Sequence, residues 1–135
     1  MQVKFYLAGK FRDGKKLLKH VETLEDLGHQ CTHKWMLFEG ATSPEKAIND
    51  VNGVYNADYL LAFLTDPEYR YRGTMSEIGV ALGYNNVANK CDLVTKSIYI
   101  VKHPDAKFSC FIHHPSVQHF TSFEKALDQI MTDWQ

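Results

Sequence analysis

The most continuous apolar run in the chain, DYLLAFLT at residues 58–65, limits the possible folds more than any other stretch. A strand that is apolar at nearly every position, rather than at alternate positions, is typical of the centre of a parallel sheet with helices on both faces. The sequence therefore predicts a buried central strand over Asp58–Thr65.

Shorter strand-like segments lie on either side of this run. Val3–Ala8 is apolar, β-branched and aromatic, and it ends at Gly9, as a buried first strand would. HQCTHKWMLF, residues 29–38, indicates a second strand that runs into a loop, and SIYIV at 97–101 indicates a fourth. A short fifth strand begins or ends at His119–Phe120.

Helical patterns alternate with these strands. Gly28 stands where a C′ glycine ends a helix, and Ser43-Pro44 supplies an N-cap serine with proline at the first helical position. The predicted helices run from about Asp13 to Leu27, from Ser43 to about Tyr55, from Thr74 to near Gly83, and from Ser122 to Met131. This alternation predicts an α/β fold with a parallel sheet covered on both faces.

Ligands of such folds bind at the carboxyl ends of the strands. The two segments that follow the first and third strands, Tyr6–Gly14 and Asp66–Glu77, are therefore the places where we expect a site. With 135 residues and no linker-like stretch, residues 1–135 are predicted to form one domain.

Charge and cysteine usage exclude several classes of protein. The net charge is −1 without a block of like charges, which argues against a nucleic-acid polymer as partner. No apolar run approaches the ~18 residues that span a bilayer, and the N-terminus has no signal-peptide pattern. Three cysteines without a CxxC pair favour a reducing compartment, so the predicted location is the cytoplasm, with the nucleus not excluded.

The histidines give no metal signature. His29, His33, His113 and His114 lack a convergent ligand spacing, so they are interpreted as surface or core residues. We predict no metal site and no cofactor.

Glu77 allows two interpretations. Thr74 and Glu77 fit the S/T-x-x-E capping box, with Thr74 as N-cap. In the first turn of a helix the backbone dipoles favour an ionised carboxylate. At the mouth of a cleft, such a carboxylate is also suited to attack a sugar carbon. The pattern alone leaves both roles open.

Asp50 and the loop after the first strand are further candidates. Ala47, Val51 and Val54 form the predicted apolar stripe of their helix, and Asp50 is expected at its edge, hydrogen-bonded or solvated. Tyr6 by itself is typical of a core aromatic residue. The loop glycines, together with two cations, could hold a phosphate through backbone N–H groups and charge; these residues are Gly9, Lys10, Arg12 and Gly14.

Three pieces of sequence together resemble the nucleoside 2-deoxyribosyltransferase family and the related 2′-deoxynucleoside 5′-monophosphate N-glycosidases. They are YLAG at 6–9, Asp50 eight residues before Asp58, and RGTMSEIGVALG at 72–83. The resemblance covers roughly residues 3–86. It implies a flavodoxin-like three-layer α/β domain with a mostly parallel, five-stranded sheet. It also implies an enzyme that cleaves the bond between base and 2-deoxyribose.

The resemblance implies a role for each matching residue. Glu77 would attack C1′ and form a glycosyl-enzyme intermediate, Asp50 would protonate or orient the departing base, and Tyr6 would help place the nucleophile or the sugar. Gly9, Arg12 and Gly73 would line the sugar and phosphate end. Water would capture the intermediate in a hydrolase, and a second base would capture it in a transferase. The family also implies a homodimer or higher homo-oligomer, with sites built across a subunit interface.

One position departs from the family pattern. The transferases carry an aspartate six residues before the nucleophile and the hydrolases tend to have serine, whereas this chain has Tyr71. The sugar contact, and with it the preference for 2′-deoxyribose, is therefore open. Arg70 and Arg72 beside it are candidates for a phosphate contact, which favours a nucleotide over a nucleoside. Two alternatives remain: a non-catalytic nucleotide-binding or sensor domain, and a glycohydrolase acting on another nucleotide derivative.

Overall fold

The computed structural model describes residues 2–38, 43–106 and 109–135. It contains a five-stranded sheet in the order β2-β1-β3-β4-β5, in which every pair of neighbouring strands is parallel. This order is that of a flavodoxin-like fold. The strands are Lys4–Ala8 (β1), Gln30–Cys31 (β2), Tyr59–Leu64 (β3), Ser97–Lys102 (β4) and Val117–Phe120 (β5).

The predicted central strand is confirmed. All six residues of β3 are buried, and β3 lies between β1 and β4 with Tyr59 paired to Phe5 on one side and to Ser97 on the other. The predicted second strand is wrong in its extent. Only Gln30–Cys31 pairs with β1, and Trp35–Leu37 instead forms a 3-10 turn.

Within the described ranges, four α-helices cover the sheet. α2 packs on β1 and α3 on one face, while the ring of His20 in α1 contacts that of Phe123 in α4 on the other face. The result is the three-layer α/β fold predicted from the sequence. The helices are Gly14–Asp26 (α1), Pro44–Tyr55 (α2), Arg72–Lys90 (α3) and Phe123–Asp133 (α4).

The helix ends agree with the predicted signals in three places. Ser43 caps α2 by accepting a hydrogen bond from the backbone N–H of Lys46, and Ser122 caps α4 in the same way. Gly28 follows α1 with a φ of +95°, a backbone conformation that glycine adopts at little cost.

The predicted start and end of α3 are wrong. Its N-cap is Tyr71, with φ +50° and ψ 43°, so the helix begins at Arg72 and continues to Lys90. Thr74 is therefore a buried helical residue and not an N-cap, and Glu77 lies beyond the first turn. The capping-box interpretation of Glu77 is excluded.

The predicted apolar stripe of α2 is also wrong. Ala47 is exposed and Val51 is 47% exposed, whereas Val54 is buried. The partly buried polar residues of the helix are Lys46 and Asp50, four residues apart, so both face the protein. Asp50 is thus part of the inward face of α2 rather than of its edge.

Among the described helices, none is both long enough and apolar enough to cross a membrane.

Candidate active site

A cleft of about 170 Å³ opens at the carboxyl edge of the sheet. β1, α2 and the start of α3 provide its polar wall, and the segments after β1, β2 and β3 provide aromatic rings. This is the edge where the sequence predicts a site. The lining residues are Tyr6, Gly9, Phe11, Trp35, Lys46, Asp50, Tyr69, Tyr71, Gly73, Thr74 and Glu77.

Tyr6 and Glu77 are in direct contact at the base of this cleft. The Tyr6 hydroxyl donates a hydrogen bond to Oε2 of Glu77. Tyr6 is only 1% exposed, because it lies in β1 and its ring packs against α2. A Cβ on Gly53 of α2 would lie 2.8 Å from two carbons of the Tyr6 ring, so the close approach of helix and ring requires a glycine.

Asp50 completes a group of three. The Tyr6 hydroxyl also lowers the pKa of the Asp50 carboxyl as a hydrogen-bond donor, and both carboxylates raise the pKa of Tyr6 through their charge. Because a hydroxyl carries a single proton, Tyr6 donates to one carboxylate at a time. When it donates to Glu77, its oxygen can still accept a hydrogen bond from a protonated Asp50.

Burial raises the pKa values of both carboxyls and so favours their protonated forms. Loss of hydration raises the pKa of Glu77 to about 8, and the nearby charge of Asp50 adds to the rise. Loss of hydration also raises the pKa of Asp50, against the lowering effects of His33, Lys46 and Tyr6. The expectation that a helix dipole keeps Glu77 ionised is therefore wrong: desolvation dominates, and Glu77 lies beyond the first turn. Near neutral pH, burial therefore favours the protonated form of Glu77.

The loop between β3 and α3 is fixed over the cleft by local contacts. Lys10 forms an ion pair with Asp66 at 2.8 Å, and its ammonium lies 4.8 Å from the ring centre of Tyr69. The Tyr71 hydroxyl accepts a hydrogen bond from the Asp66 backbone N–H at 2.9 Å. Tyr71 is 1% exposed and adopts a positive φ, which is uncommon for a bulky residue and is frequent at functional sites.

Six of the predicted site residues line the same cleft. They are Tyr6, Gly9, Asp50, Tyr71, Gly73 and Glu77. The four predicted cations are not part of its lining. Lys10 instead holds the β3–α3 loop through Asp66. The predicted phosphate contacts of Lys10, Arg12, Arg70 and Arg72 remain predictions.

The structure adds residues that the sequence did not indicate. Phe11 is 46% exposed, and its ring centre lies 6.1 Å from that of Trp35, whose indole N–H donates to the Leu7 carbonyl. The Lys46 ammonium lies 4.8 Å from the centre of the Phe11 ring. Of these residues, only Lys46 could have been found from the sequence, because it lies one helical turn before Asp50 and so on the same face of α2.

The described residues contain no cluster of three or more histidine, cysteine or acidic side chains that could hold a metal ion. The ionisable groups that line the cleft are two carboxyls, three phenols and an ammonium, beside the rings of Phe11 and Trp35. Aromatic side chains at the mouth of a cleft suit a flat ring such as a nucleobase, which stacks on them.

This architecture recurs in solved structures. A 2-deoxyribosyltransferase from Leishmania mexicana superposes with a TM-score of 0.60 at 16% sequence identity, covering 98% of this chain and 99% of the other. A conserved protein from Enterococcus faecalis V583 superposes with a TM-score of 0.58 at 17% identity, with the same coverage of both chains. No family model matches the sequence. No curated protein sequence matches it either.

At these identities the likeness concerns the fold, and it extends over nearly the whole length of each chain. The resemblance to the nucleoside 2-deoxyribosyltransferase family is thus confirmed at the level of the fold.

Proposed function

We propose that this chain cleaves the N-glycosidic bond of nucleosides or of their 5′-monophosphates through a covalent intermediate on Glu77. The observation that carries the proposal is the hydrogen bond of the Tyr6 hydroxyl to Glu77, with the partly buried Asp50 beside it, in an aromatic-rimmed cleft. Enzymes that cleave glycosidic bonds use two acidic groups whose surroundings shift their pKa values. The fold shared with a 2-deoxyribosyltransferase adds support.

In the first step, an ionised Glu77 attacks C1′ of the sugar. Because burial favours the protonated form of Glu77, the molecules that react are those in which Glu77 has lost its proton while Asp50 holds one. The new C1′–O bond forms while the C1′–N bond breaks, and the electron pair of the broken bond goes to the base. Asp50, whose pKa is raised by burial, supplies the proton that the departing base takes up. The Tyr6 hydroxyl holds the Glu77 carboxylate in place before the attack.

In the second step, water or another base attacks C1′. The bond between C1′ and Glu77 breaks, and its electron pair returns to the carboxylate. The Asp50 carboxylate takes the proton that the attacking water or base loses, which restores the starting state. The first step leaves Glu77 esterified and Asp50 ionised, and the second step returns one proton to Asp50 and frees the Glu77 carboxylate.

The substrate is bound by few charges. Among the described residues that line the cleft, Lys46 is the one cation, and its charge lowers the pKa values of Asp50 and Glu77. The sequence favoured a nucleotide because of Arg70 and Arg72, which do not line the cleft. We therefore propose both nucleosides and 5′-monophosphates as substrates to be compared directly.

We also propose that the chain forms a homodimer through the outer face of α2 and α3. Tyr55 is 57% exposed and Val87 is 58% exposed there, and a groove of about 340 Å³ lies between them. Exposed apolar surface of this kind is typical of interfaces. A sedimentation mass of one chain at micromolar concentration would contradict this proposal.

The alternative is a non-catalytic nucleotide-binding domain. It predicts that a nucleoside remains intact when it is incubated with the protein for hours. The raised pKa of Glu77 favours catalysis over simple binding, because an isolated buried carboxyl is costly to the fold unless it is used.

The first prediction is release of free base, measured by chromatography. The protein is incubated with matched 2′-deoxynucleosides and 2′-deoxynucleoside 5′-monophosphates, and half of the samples also contain a second free base. Release in all samples indicates a hydrolase, and a new nucleoside in the samples with added base indicates a transferase. If no substrate releases base, the proposed activity on these compounds is wrong.

A further inference from the structure

One buried oxygen atom of the proposed acid lacks a partner. Among the buried side-chain nitrogen and oxygen atoms of the described residues, only Oδ1 of Asp50 accepts no hydrogen bond. Buried polar atoms are nearly always paired, so such an atom calls for an explanation. Strained or unpaired groups of this kind are frequent in catalytic sites.

The nearest cation-forming group to this atom is the imidazole of His33. Its Nε2 lies 3.5 Å from Oδ1 of Asp50, which is within range of an ion pair but longer than an ordinary hydrogen bond. The His33 ring stacks on Phe38 at a centre distance of 5.5 Å and an angle of 19°. The side chain is 18% exposed, so solvent reaches the ring from a second cleft of about 290 Å³.

The packing of α2 brings His33 and Tyr6 to the same place. A Cβ on Gly53 would lie 3.0 Å from Cβ of His33, and 2.8 Å from the Tyr6 ring. Gly53 is one turn after Asp50, so the glycine permits both rings to approach the turn that carries the acid. His33, Asp50, Tyr6 and Glu77 thus form a continuous series of polar groups from the second cleft to the proposed nucleophile.

We propose that His33 is a positioning residue that stabilises the negative charge left on Asp50 when the base departs. The proposal rests on the proposed function. In the step concerned, the proton of Asp50 passes to the base, and the base receives the electron pair of the C1′–N bond. The charge on Asp50 then attracts Nε2 of His33 from 3.5 Å to hydrogen-bonding distance. His33 neither gains nor loses a proton in this step.

Among the residues that the structure describes, few other charged groups lie near His33. Cys31 stays a neutral thiol near pH 7, because burial raises its pKa to about 11. The other described charged groups around the ring belong to α2, on the walls of the two clefts. The titratable groups that face His33 are Asp50, Lys46 and Glu45 of α2, Cys31 of β2 and Tyr6 of β1.

The kinetic test uses substrates whose bases differ in how strongly their departure depends on protonation. The variants His33→Ala and His33→Gln are compared with the wild type on 2′-deoxyuridine, 5-fluoro-2′-deoxyuridine and 5-nitro-2′-deoxyuridine, each with and without a 5′-phosphate. His113→Ala, an exposed histidine outside the cleft, is the matched control. Thermal unfolding shows whether each variant folds.

We expect His33→Ala to lower kcat about 10-fold for 2′-deoxyuridine, a fraction of the ~10²–10⁴-fold that a general acid contributes. For the 5-nitro compound, whose base leaves without protonation, the loss is less than about 2-fold, and KM is unchanged. His33→Gln, which keeps a hydrogen-bond donor, restores part of the rate. An equal loss for all three bases, or no loss for any, would overturn the proposal.

A second measurement does not depend on turnover. Carboxyl ¹³C NMR follows the titration of Asp50, whose pKa the charge of His33 lowers. We expect this pKa to rise in His33→Ala and to stay constant in His113→Ala. An unchanged titration in His33→Ala would contradict the coupling. If the pKa of Asp50 responds to His33→Ala but the wild type releases no base, the proposed function is wrong and the contact between the two residues stands.

Discussion

Replacing Glu77 with glutamine should abolish base release and, at the same time, make the protein more stable. The amide cannot attack C1′, so we expect kcat to fall by at least about 10³-fold. The fold should benefit, because glutamine keeps the shape and the contact with Tyr6 but cannot ionise in a buried position. If Glu77 only stabilised the fold, its replacement with glutamine would instead lower the free energy of unfolding.

The size of the stability gain depends on pH. Burial raises the pKa of Glu77 from 4.5 to about 8 in the folded protein. Since the folded state holds this proton more tightly than the unfolded state, the contribution of Glu77 is fully present below pH 4.5 and is lost as the pH rises toward 8. At 1.36 kcal/mol per pKa unit, the advantage of the glutamine variant grows by roughly 3–4 kcal/mol between pH 5 and pH 8.

Urea unfolding at these two pH values measures this growth. The matched control is Glu22→Gln, an exposed glutamate of α1, for which we expect a change of less than about 0.5 kcal/mol at either pH. A Glu77→Gln variant that is less stable than the wild type, or that keeps its turnover, would refute the role assigned to Glu77.

Gly53→Ala is the second change with a large expected effect. Alanine normally stabilises the interior of a helix by about 0.5–1 kcal/mol relative to glycine. At this position the added Cβ would lie 2.8 Å from the ring of Tyr6, which is buried and cannot withdraw. We expect a net loss of about 1–3 kcal/mol in the free energy of unfolding. Displacement of the Tyr6 hydroxyl from Glu77 should also reduce kcat by about 10–100-fold.

Gly79→Ala provides the matched control for this prediction. Gly79 lies in the interior of α3, is partly buried, and has no atom within 4 Å of the position of an added Cβ. We expect this variant to gain about 0.5–1 kcal/mol and to keep full activity. If Gly53→Ala also gains stability and remains active, the close packing of α2 on Tyr6 has no part in the site.

The sequence predicted the sheet and the closeness of two site residues for a clear physical reason. Alternating strands and helices give parallel strands, whose carboxyl ends share one edge, so Tyr6 of β1 and Glu77 after β3 were expected on the same side of the sheet. Asp50 was assigned to the site from the family resemblance. The hydrophobic periodicity could not place it there, because it put the apolar stripe of α2 on the wrong side of the helix.

The features that the sequence did not predict depend on tertiary contacts. Tyr71 begins α3 in a left-handed conformation that capping rules, based on Ser, Thr, Asp and Asn, do not anticipate. His33 was judged by metal-ligand spacing, whereas its partner is Asp50 on a neighbouring element. The raised pKa of Glu77 results from burial, which local sequence does not reveal.

The most direct test of the account is to trap the sugar on the protein. The wild type is mixed with a 2′-deoxynucleoside that it cleaves and is quenched in acid within one turnover, and its peptides are then examined by mass spectrometry. We predict a 2-deoxyribosyl group on Glu77 in the wild type and none in Glu77→Gln. Base release with the sugar on another residue, or with none on any peptide during turnover, would contradict the covalent mechanism.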